Sequence, residues 1–346
     1  MPGSDDLHGH AWVVRSFGAP EAMRWTATTT PAPPPGHARL RVLAVGVSFT
    51  DLMARQGEYL LQRKTPFTPG YELVAEVVDH EPSEQDPVVL PAGTLVAAAL
   101  PKMAAYTEYL TLPAWQLIPL PEGLDPVLAA AVPLDYLTAL SLLETHGRVS
   151  RGDTVLIQGA SGGVGQAVSQ LGRLAGLRMY GTASAPGAAQ RLARSGVTHI
   201  DYRTQDFERV VRAAEPDGIQ AVFDHIGGPN LRKGHRLLAP GGALVSYAFT
   251  GRPGHMMRDT VIGAARVTLM NLRPGRRAAL CMVPKEVRAD HDWYRTALAR
   301  LLASARDGSL SPTVAAVRPL QEAPEVHRAL ERRELTGKAV LTVASR

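Results

Sequence analysis

A chain of 346 residues, 45% of them hydrophobic, has material for a sizeable core and for two domains. Its 37 basic and 32 acidic side chains leave a net charge of +5 spread over scattered arginines, which excludes a basic nucleic-acid-binding stripe as the organising feature. The single cysteine, Cys281, excludes an internal disulfide and any multi-cysteine zinc site. No apolar run is long enough to span a bilayer. Met1-Pro-Gly-Ser-Asp-Asp6 lacks the basic and apolar parts of a signal peptide, so the expected location is a reduced cytoplasm.

In chain order, Ala11 to Arg15 predicts a first strand, and a proline-rich link, Pro31-Ala-Pro-Pro-Pro-Gly36, follows it. Ala38 to Val47 sets Leu40, Val42 and Ala44 against Arg39 and Arg41, the alternation of a half-buried strand. Ser48 to Gly57 predicts a short helix, capped by Ser48 or Thr50 and stopped by Gly57. Thr68-Pro-Gly-Tyr-Glu72 is a turn into a strand over Leu73 to Val78. Val88 to Leu100 and Tyr106 to Leu112 predict further strands, and Pro126 to Thr145 a helical region.

The next stretch, Val155-Leu-Ile-Gln-Gly-Ala-Ser-Gly-Gly-Val-Gly165, reads as a buried strand, a glycine turn and the start of a helix. Gly159, Gly162 and Gly165 give a spacing close to the dinucleotide fingerprint. Glycine there permits a tight turn, close approach of a pyrophosphate to the backbone, and packing of helix on strand. The helix start offers free N–H groups and a positive dipole end to phosphates. Val164, Val168, Leu171 and Leu174 are its expected inward side. A strand over Arg178 to Thr182 ends in Ala183-Ser184, about 20 residues after the glycines, where the ribose-reading residue belongs. Small neutral residues stand there instead of an acid, which leaves room for a 2′-phosphate.

A third strand, Ala221 to His225, and a fourth, Ala243 to Tyr247, follow at βαβ intervals, each bounded by a glycine pair. Met256 to Leu272 predicts a helix with arginines Arg273, Arg276 and Arg277 beyond it. Basic amphipathic segments can lie on anionic membranes. The favoured reading is that this one covers the substrate cleft or packs at a dimer contact. Ala278 to Val283 predicts a short strand and His291 to Arg306 a long helix. Thr313 to Val317 and Ala339 to Val343 return to strand, so the chain is expected to re-enter its first domain.

Gly46-Val-Ser-Phe-Thr-Asp51, Pro69-Gly-Tyr-Glu72, Gly159-Ala-Ser-Gly-Gly-Val-Gly165, Ile200-Asp-Tyr-Arg203 and Leu335-Thr-Gly-Lys338, in this order, resemble the medium-chain dehydrogenase/reductase superfamily. Within it the chain resembles the zinc-free quinone oxidoreductase (zeta-crystallin) group and especially the vesicle amine transport protein branch. The resemblance implies an α/β chain. Its parts are a GroES-like β-rich catalytic domain over 1–128, completed by 286–346, and a Rossmann doubly wound parallel sheet over 129–285.

Zinc-dependent members have Cys where Ser48 stands and His where Tyr71 stands, and only Glu72 survives of that set. The four-cysteine lobe is replaced by His80-Glu-Pro-Ser-Glu-Gln-Asp-Pro87. The expectation is therefore no metal. The resemblance assigns Gly159, Ser161, Gly162, Gly163, Val164 and Gly165 to the pyrophosphate, and Tyr136 and Thr138 to the phosphate-nicotinamide side. Ser184, Tyr202 and Arg203 fall to the adenosine end, and Tyr247 and Ala248 to the nicotinamide. Where relatives carry a lysine for the 2′-phosphate, this chain has Pro186-Gly187-Ala188, and Arg191 or Arg203 is the expected substitute. The expected cofactor is NADPH.

Tyr59, Ser48 and Asp51 are the candidate catalytic residues. Tyr59 stands at the Gln-Gly-x-Tyr place where related reductases carry a tyrosine. Quinone reductases have asparagine at the place of Ser48 and a second tyrosine at that of Met53. These departures favour enone or enoyl substrates. The expected function is reduction of an activated double bond or a quinone, by hydride transfer to a small molecule. The alternative is a redox-silent nucleotide-binding protein of the same fold. A homodimer joined through Ala278 to Val283 is expected.

Overall fold

The computed structural model describes residues 6–83, 89–272 and 275–344. Readings that touch Met1 to Asp5, Glu84 to Val88 or Arg273 lie outside those residues. The chain divides into one unit of Met1–Leu137 with Val283–Arg346 and a second of Thr138–Met282.

The first unit opens with an antiparallel hairpin, β1 (Leu7–Val14) and β2 (Met23–Thr30). The second of these strands was not expected from the sequence. Its alternation is polar on both sides, but the run Thr26-Ala-Thr-Thr-Thr30 has the β-branched content that strands favour. The 11-residue strand β3 (His37–Val47) follows, and its Leu40, Val42, Val45 and Val47 sit in the main core. The helix α1 (Phe49–Arg55) begins at a capping box. Ser48 caps the backbone of Asp51, and the Asp51 carboxylate caps the backbone of Ser48. Gly57, at φ +77°, lets the chain leave the helix.

Strands β4 (Glu72–Glu81), β5 (Leu95–Ala99), β6 (Tyr109–Pro113) and β7 (Ile118–Pro119) build the rest of the first sheet. The expected strand from Val88 is shorter, because a turn through Gly93 (φ +85°) precedes Leu95. The expected helix from Pro126 is broken. It forms α2 (Pro126–Ala129), capped by Asp125, and α3 (Pro133–Leu140), followed by a π-helical stretch over Ser141–Gly147. Pro133 lacks the N–H that a continuous helix would use.

The second unit alternates strand and helix: β8 (Thr154–Ile157), α4 (Gly163–Ala175), β9 (Arg178–Thr182), α5 (Ala188–Arg194), β10 (Val197–Ile200) and α6 (Phe207–Ala214). Then come β11 (Ile219–Asp224), α7 (Pro229–Leu237), β12 (Leu238–Ser246), α8 (Met256–Met270) and β13 (Arg277–Leu280). All pairs are parallel, in the order β10-β9-β8-β11-β12-β13. β10 is an added strand, so the strand over Ala221 to His225 is the fourth of the sheet, not the third. The order reverses between β8 and β11, which opens a crevice beyond their carboxyl ends where such sheets bind ligands.

The chain then returns to the first unit with α9 (Val283–Ala289), α10 (His291–Arg306), β14 (Val314–Pro319), α11 (Ala323–Glu331) and β15 (Lys338–Thr342). Strand β15 runs antiparallel to β3 and parallel to β14, giving the order β14-β15-β3-β4-β5-β7, with β6 also on β3. Tyr294 anchors α10: its hydroxyl donates to Gln116 O at 2.6 Å and accepts from Ala99 N at 3.1 Å.

Candidate active site

In the second unit the glycine turn follows β8 directly. Gly159 has φ +65°, and a Cβ there would fall 2.1 Å from the His225 ring. Its N–H donates to Thr182 Oγ1 at 3.0 Å, and Thr182 donates in turn to Gln158 Oε1 at 3.0 Å. Gly165 packs so tightly that a Cβ would meet Gly159 O at 2.5 Å and the Ala160 Cα at 2.7 Å. Gly162 differs: a Cβ there meets only Gly159 O, at 3.5 Å. No protein neighbour requires glycine at 162, so the space above it is left for a ligand. Ser161 Oγ is buried with no hydrogen-bond partner among the described residues, which costs free energy unless a ligand accepts from it. Gly163 and Val164 begin α4, and no side chain caps that end. These features fit a bound pyrophosphate.

The inward side of α4 corrects the sequence reading. Leu174 is 46% exposed, and Val164 and Leu171 are half-buried. The buried face is Gly165, Ala167, Val168, Ser169 and Gly172. Small residues let the helix lie close to the sheet: a Cβ on Gly172 would meet Met179 Sδ at 2.6 Å. Periodicity of large side chains marks burial only where an element packs through them.

At the end of β9, Ser184 Oγ donates to the Tyr202 hydroxyl at 2.6 Å, and the Tyr202 ring is exposed. The Arg191 guanidinium lies 3.0 Å from the Cβ position of Gly187, at the corner after β9 where a substitute for a phosphate-binding lysine was expected. Arg203 is exposed, and its N–H donates to Asp201 Oδ1 at 3.0 Å. The Tyr247 hydroxyl lies 3.3 Å from His225 Nδ1, and Ala248 O accepts from Ser246 Oγ at 3.2 Å. Tyr136 and Thr138 are both buried on α3.

In the first unit, Asp51 is fully buried at the start of α1 and accepts from four donors. Its Oδ2 takes Ser48 N at 2.8 Å, Ser48 Oγ at 3.1 Å and Tyr106 OH at 3.3 Å; its Oδ1 takes Gly70 N at 3.2 Å. Burial nevertheless pushes the Asp51 carboxyl up to about 6. Since Ser48 Oγ donates to Asp51, the 2.5 Å contact between Ser48 Oγ and Thr50 Oγ1 has Thr50 as donor. Behind Asp51 lie Tyr106, His327 and Arg55, all fully buried. Burial, and then the Arg55 charge, hold His327 down at about 3, so it is neutral. Arg55 also pairs with Glu331 at the surface and donates to Gly18 O. None of Thr50, Arg55, Tyr106 or His327 was singled out for this role by sequence. One signal was legible: Arg55 stands four residues after Asp51, one turn along the same helix.

Tyr59 follows the helix, half-buried, with its ring edge-on to that of Tyr71 at 6.0 Å between centroids. Burial pushes the Tyr59 phenol up to about 12 and that of Tyr71 further, so both hold their protons at neutral pH. Beside Tyr71, Glu72 is fully buried, accepts from Leu134 N at 2.8 Å and is ion-paired with Lys338. Burial works against the Lys338 charge, yet Asp135, at 3.3 Å, and Glu72 hold it protonated. A serine, a protonated phenol and a carboxylate already neutralised by an ammonium do not make a zinc donor set.

The alcohol dehydrogenase GroES-like domain family matches residues 34–122, and the zinc-binding dehydrogenase family matches 196–341. The chain is 32% identical to the synaptic vesicle membrane protein VAT-1 homolog of Homo sapiens over 339 residues, which covers 95% of this chain and 85% of that protein. It is also 32% identical to the 2-haloacrylate reductase of a Burkholderia species, covering 96% of this chain and 98% of that one. Among solved structures, a mycobacterial protein complexed with NADPH superposes with a TM-score of 0.83 at 26% identity, covering 96% of this chain and 99% of that chain.

Proposed function

The chain belongs to the medium-chain dehydrogenase/reductase superfamily, in its quinone oxidoreductase group, and we propose that it is an NADPH-dependent, metal-independent reductase of activated carbon–carbon double bonds. The observation that carries this reading is the protonated, half-buried Tyr59 phenol in a unit where Tyr71 and the Glu72–Lys338 ion pair stand in place of a metal donor set. A group of this kind gives up a proton at the moment charge builds on a substrate oxygen. The relative named 2-haloacrylate reductase supports an alkene conjugated to a carboxyl group as the substrate class. Quinones are the second acceptor class.

When bound, NADPH would supply the hydride for reduction of the acceptor. Ser161, whose buried hydroxyl has no partner among the described residues, would donate to the pyrophosphate, and the backbone of Gly162, Gly163, Val164 and Gly165 would help to hold it. Gly159 sets the turn. Ser184, Tyr202 and Arg203 receive the adenosine end, and Arg191 supplies the charge for a 2′-phosphate. The NADPH complex of the mycobacterial neighbour supports that choice. Thr138, Tyr247 and Ala248 are assigned to the nicotinamide side, and Tyr136, buried on α3, to the support of that helix. Tyr59 donates the proton. Asp51, being fully buried, acts through Ser48: it holds that hydroxyl and, beyond it, Thr50.

A second reading, a redox-silent binding protein of the same fold, is favoured by one observation: Val261 and Leu269 on α8, and Leu272 after it, are exposed at 56%, 60% and 78%. NADPH oxidation against a panel of enones, enoates and quinones, with NADH as control, separates the readings. The expected result is turnover of an enone or enoate, with kcat at least about tenfold lower in Tyr59→Phe and NADPH affinity unchanged. If only KM moves, Tyr59 binds substrate without donating. If no acceptor is turned over, the reductase reading is wrong.

A further inference from the structure

In the parallel sheet, Ser184 and Tyr202 follow strands on one side of β8, namely β9 and β10, while His225 and Tyr247 follow β11 and β12 on the other. Backbone bonds stitch the loops of that second side together. Gln158 N donates to Phe223 O at 3.0 Å, and Tyr247 N donates to Asp224 O at 3.0 Å. The His225 carbonyl accepts twice from one residue, from Thr250 N at 2.9 Å and Thr250 Oγ1 at 3.1 Å. The His225 backbone is thereby held, and its half-buried ring is set against the glycine turn. Gly159 is required there twice over: by its φ of +65°, and because the imidazole Cε1 lies 2.1 Å from where a Cβ would stand.

The bonds of the ring follow from their partners. His225 Nδ1 lies 3.1 Å from Gln158 O, the carbonyl that leads into the turn. A carbonyl can only accept, so Nδ1 carries a hydrogen. The Tyr247 hydroxyl, 3.3 Å from the same nitrogen, then accepts from it as the second branch of a shared bond. The two rings are 5.5 Å apart and inclined at 32°. One imidazole thus touches both the turn assigned to the pyrophosphate and the phenol assigned to the nicotinamide.

We propose that His225 is a positioning residue of the nucleotide site: its Nδ1–H, held by Gln158 O, fixes the Tyr247 phenol against the glycine turn, so that the places for the pyrophosphate and the nicotinamide keep one spacing. This rests on the NADPH reading above. A dinucleotide has to meet both places at once, and a misplacement of about 1 Å between groups that act on one ligand is costly. A fragment that reaches only the adenosine end, beyond β9 and β10, does not sense that spacing. The loss of the tie is therefore felt by the whole dinucleotide and not by the fragment.

Titrations with NADPH and with adenosine 2′-phosphate, the fragment, test this. His225→Leu keeps bulk and removes the N–H. It is expected to bind NADPH about tenfold more weakly, with the affinity for adenosine 2′-phosphate unchanged. His225→Asn keeps an N–H donor near the place of Nδ1 and is expected to recover most of the loss. The losses of His225→Leu and Tyr247→Phe are expected not to multiply in the double variant, since both break the same contact. Unchanged NADPH affinity in His225→Leu, equal weakening of both ligands, no recovery in His225→Asn, or losses that multiply overturn the inference. A second arm uses the wild type and covers the case in which His225→Leu fails to fold. With ¹⁵N-labelled histidine at about pH 8, where an imidazole is ordinarily neutral, the long-range ¹H–¹⁵N spectrum is expected to show the His225 ring, identified by its loss in His225→Asn, as the Nδ1–H tautomer. The Nε2–H tautomer overturns the inference. A wild type that binds neither ligand overturns the NADPH reading and the role of His225 with it. A wild type that binds NADPH and reduces no acceptor overturns the reductase reading alone.

Discussion

Arg55 Nε donates to His327 Nδ1 at 3.2 Å, across 272 positions of sequence. A guanidinium can only donate, so this bond fixes the tautomer: the neutral His327 carries its proton on Nε2. The Tyr106 hydroxyl, 3.2 Å from Nε2, must accept that proton. The Tyr106 O–H is then committed to Asp51. Every group that meets Asp51 is a donor, which is why a carboxylate belongs there despite full burial.

The pH dependence of stability tests this. Burial raises the Asp51 pKa from the usual 3.8 to about 6. A raised folded value means that its contribution is fully present below the unfolded pKa and is lost as pH rises through about 6. The shift is worth on the order of 3 kcal/mol. Asp51→Asn removes the titration, so the wild type is expected to lose stability relative to that variant between pH 4 and pH 7. His327 works in the opposite sense, since its folded value is lowered and its contribution fades as pH falls. It is present in both proteins and cancels in the difference. Parallel denaturation curves across that window would show that Asp51 does not titrate as its burial requires.

The two inner glycines of the turn are expected to fail differently. Gly165→Ala places a Cβ against backbone at 2.5 Å, so it lowers the melting temperature. Gly162→Val finds open space, so it leaves the melting temperature unchanged and abolishes nucleotide binding. In the wild type, titration is expected to show NADPH bound at least about tenfold more tightly than NADH, or about 1.4 kcal/mol. Equal affinities would remove the argument from Ser184 and Arg191.

Metal dependence follows from the Glu72–Lys338 pair. Treatment with a strong chelator is expected to change neither activity nor melting temperature. Stoichiometric zinc in the purified protein, measured by elemental analysis, would contradict the donor-set argument.

Assembly rests on β13, the last strand in the order of the parallel sheet. Leu272, just before it, is exposed at 78%. An unpaired strand edge beside exposed apolar side chains is a template for a second copy. The expected state is a homodimer. Light scattering that gives a monomer mass at every concentration would refute this.

Much of the architecture was legible because its signals are local. His291 to Arg306 was readable to the residue, since Asp290 caps it and Leu298, Leu301 and Leu302 repeat at helical spacing. The glycine turn was readable because its conformation demands particular residues. Strand β10 was left out of the strand count because Val197-Thr-His-Ile200 is too short to carry a period. The cluster around Asp51 was beyond reach for another reason. Tyr106 and His327 come from separate segments, and neither stands in a motif that marks it out. Their meeting depends on how α1, the segment between β5 and β6, and α11 are placed, which no local pattern encodes.

The position of β15 bears on how the chain is made. The second unit is one continuous segment, Thr138–Met282, and can complete itself as soon as it emerges from the ribosome. The first unit cannot: β15 lies between β14 and β3, an interior strand of the sheet. It also brings Lys338, the counter-ion of Glu72. Until Lys338–Thr342 has been made, β3 keeps an open edge from Ala44 to Val47, and the buried carboxylates of Glu72 and Asp135 lack Lys338. Chains made only as far as α11 therefore carry a folded middle and a waiting first half, and removal of Lys338–Thr342 takes an interior strand out of the sheet.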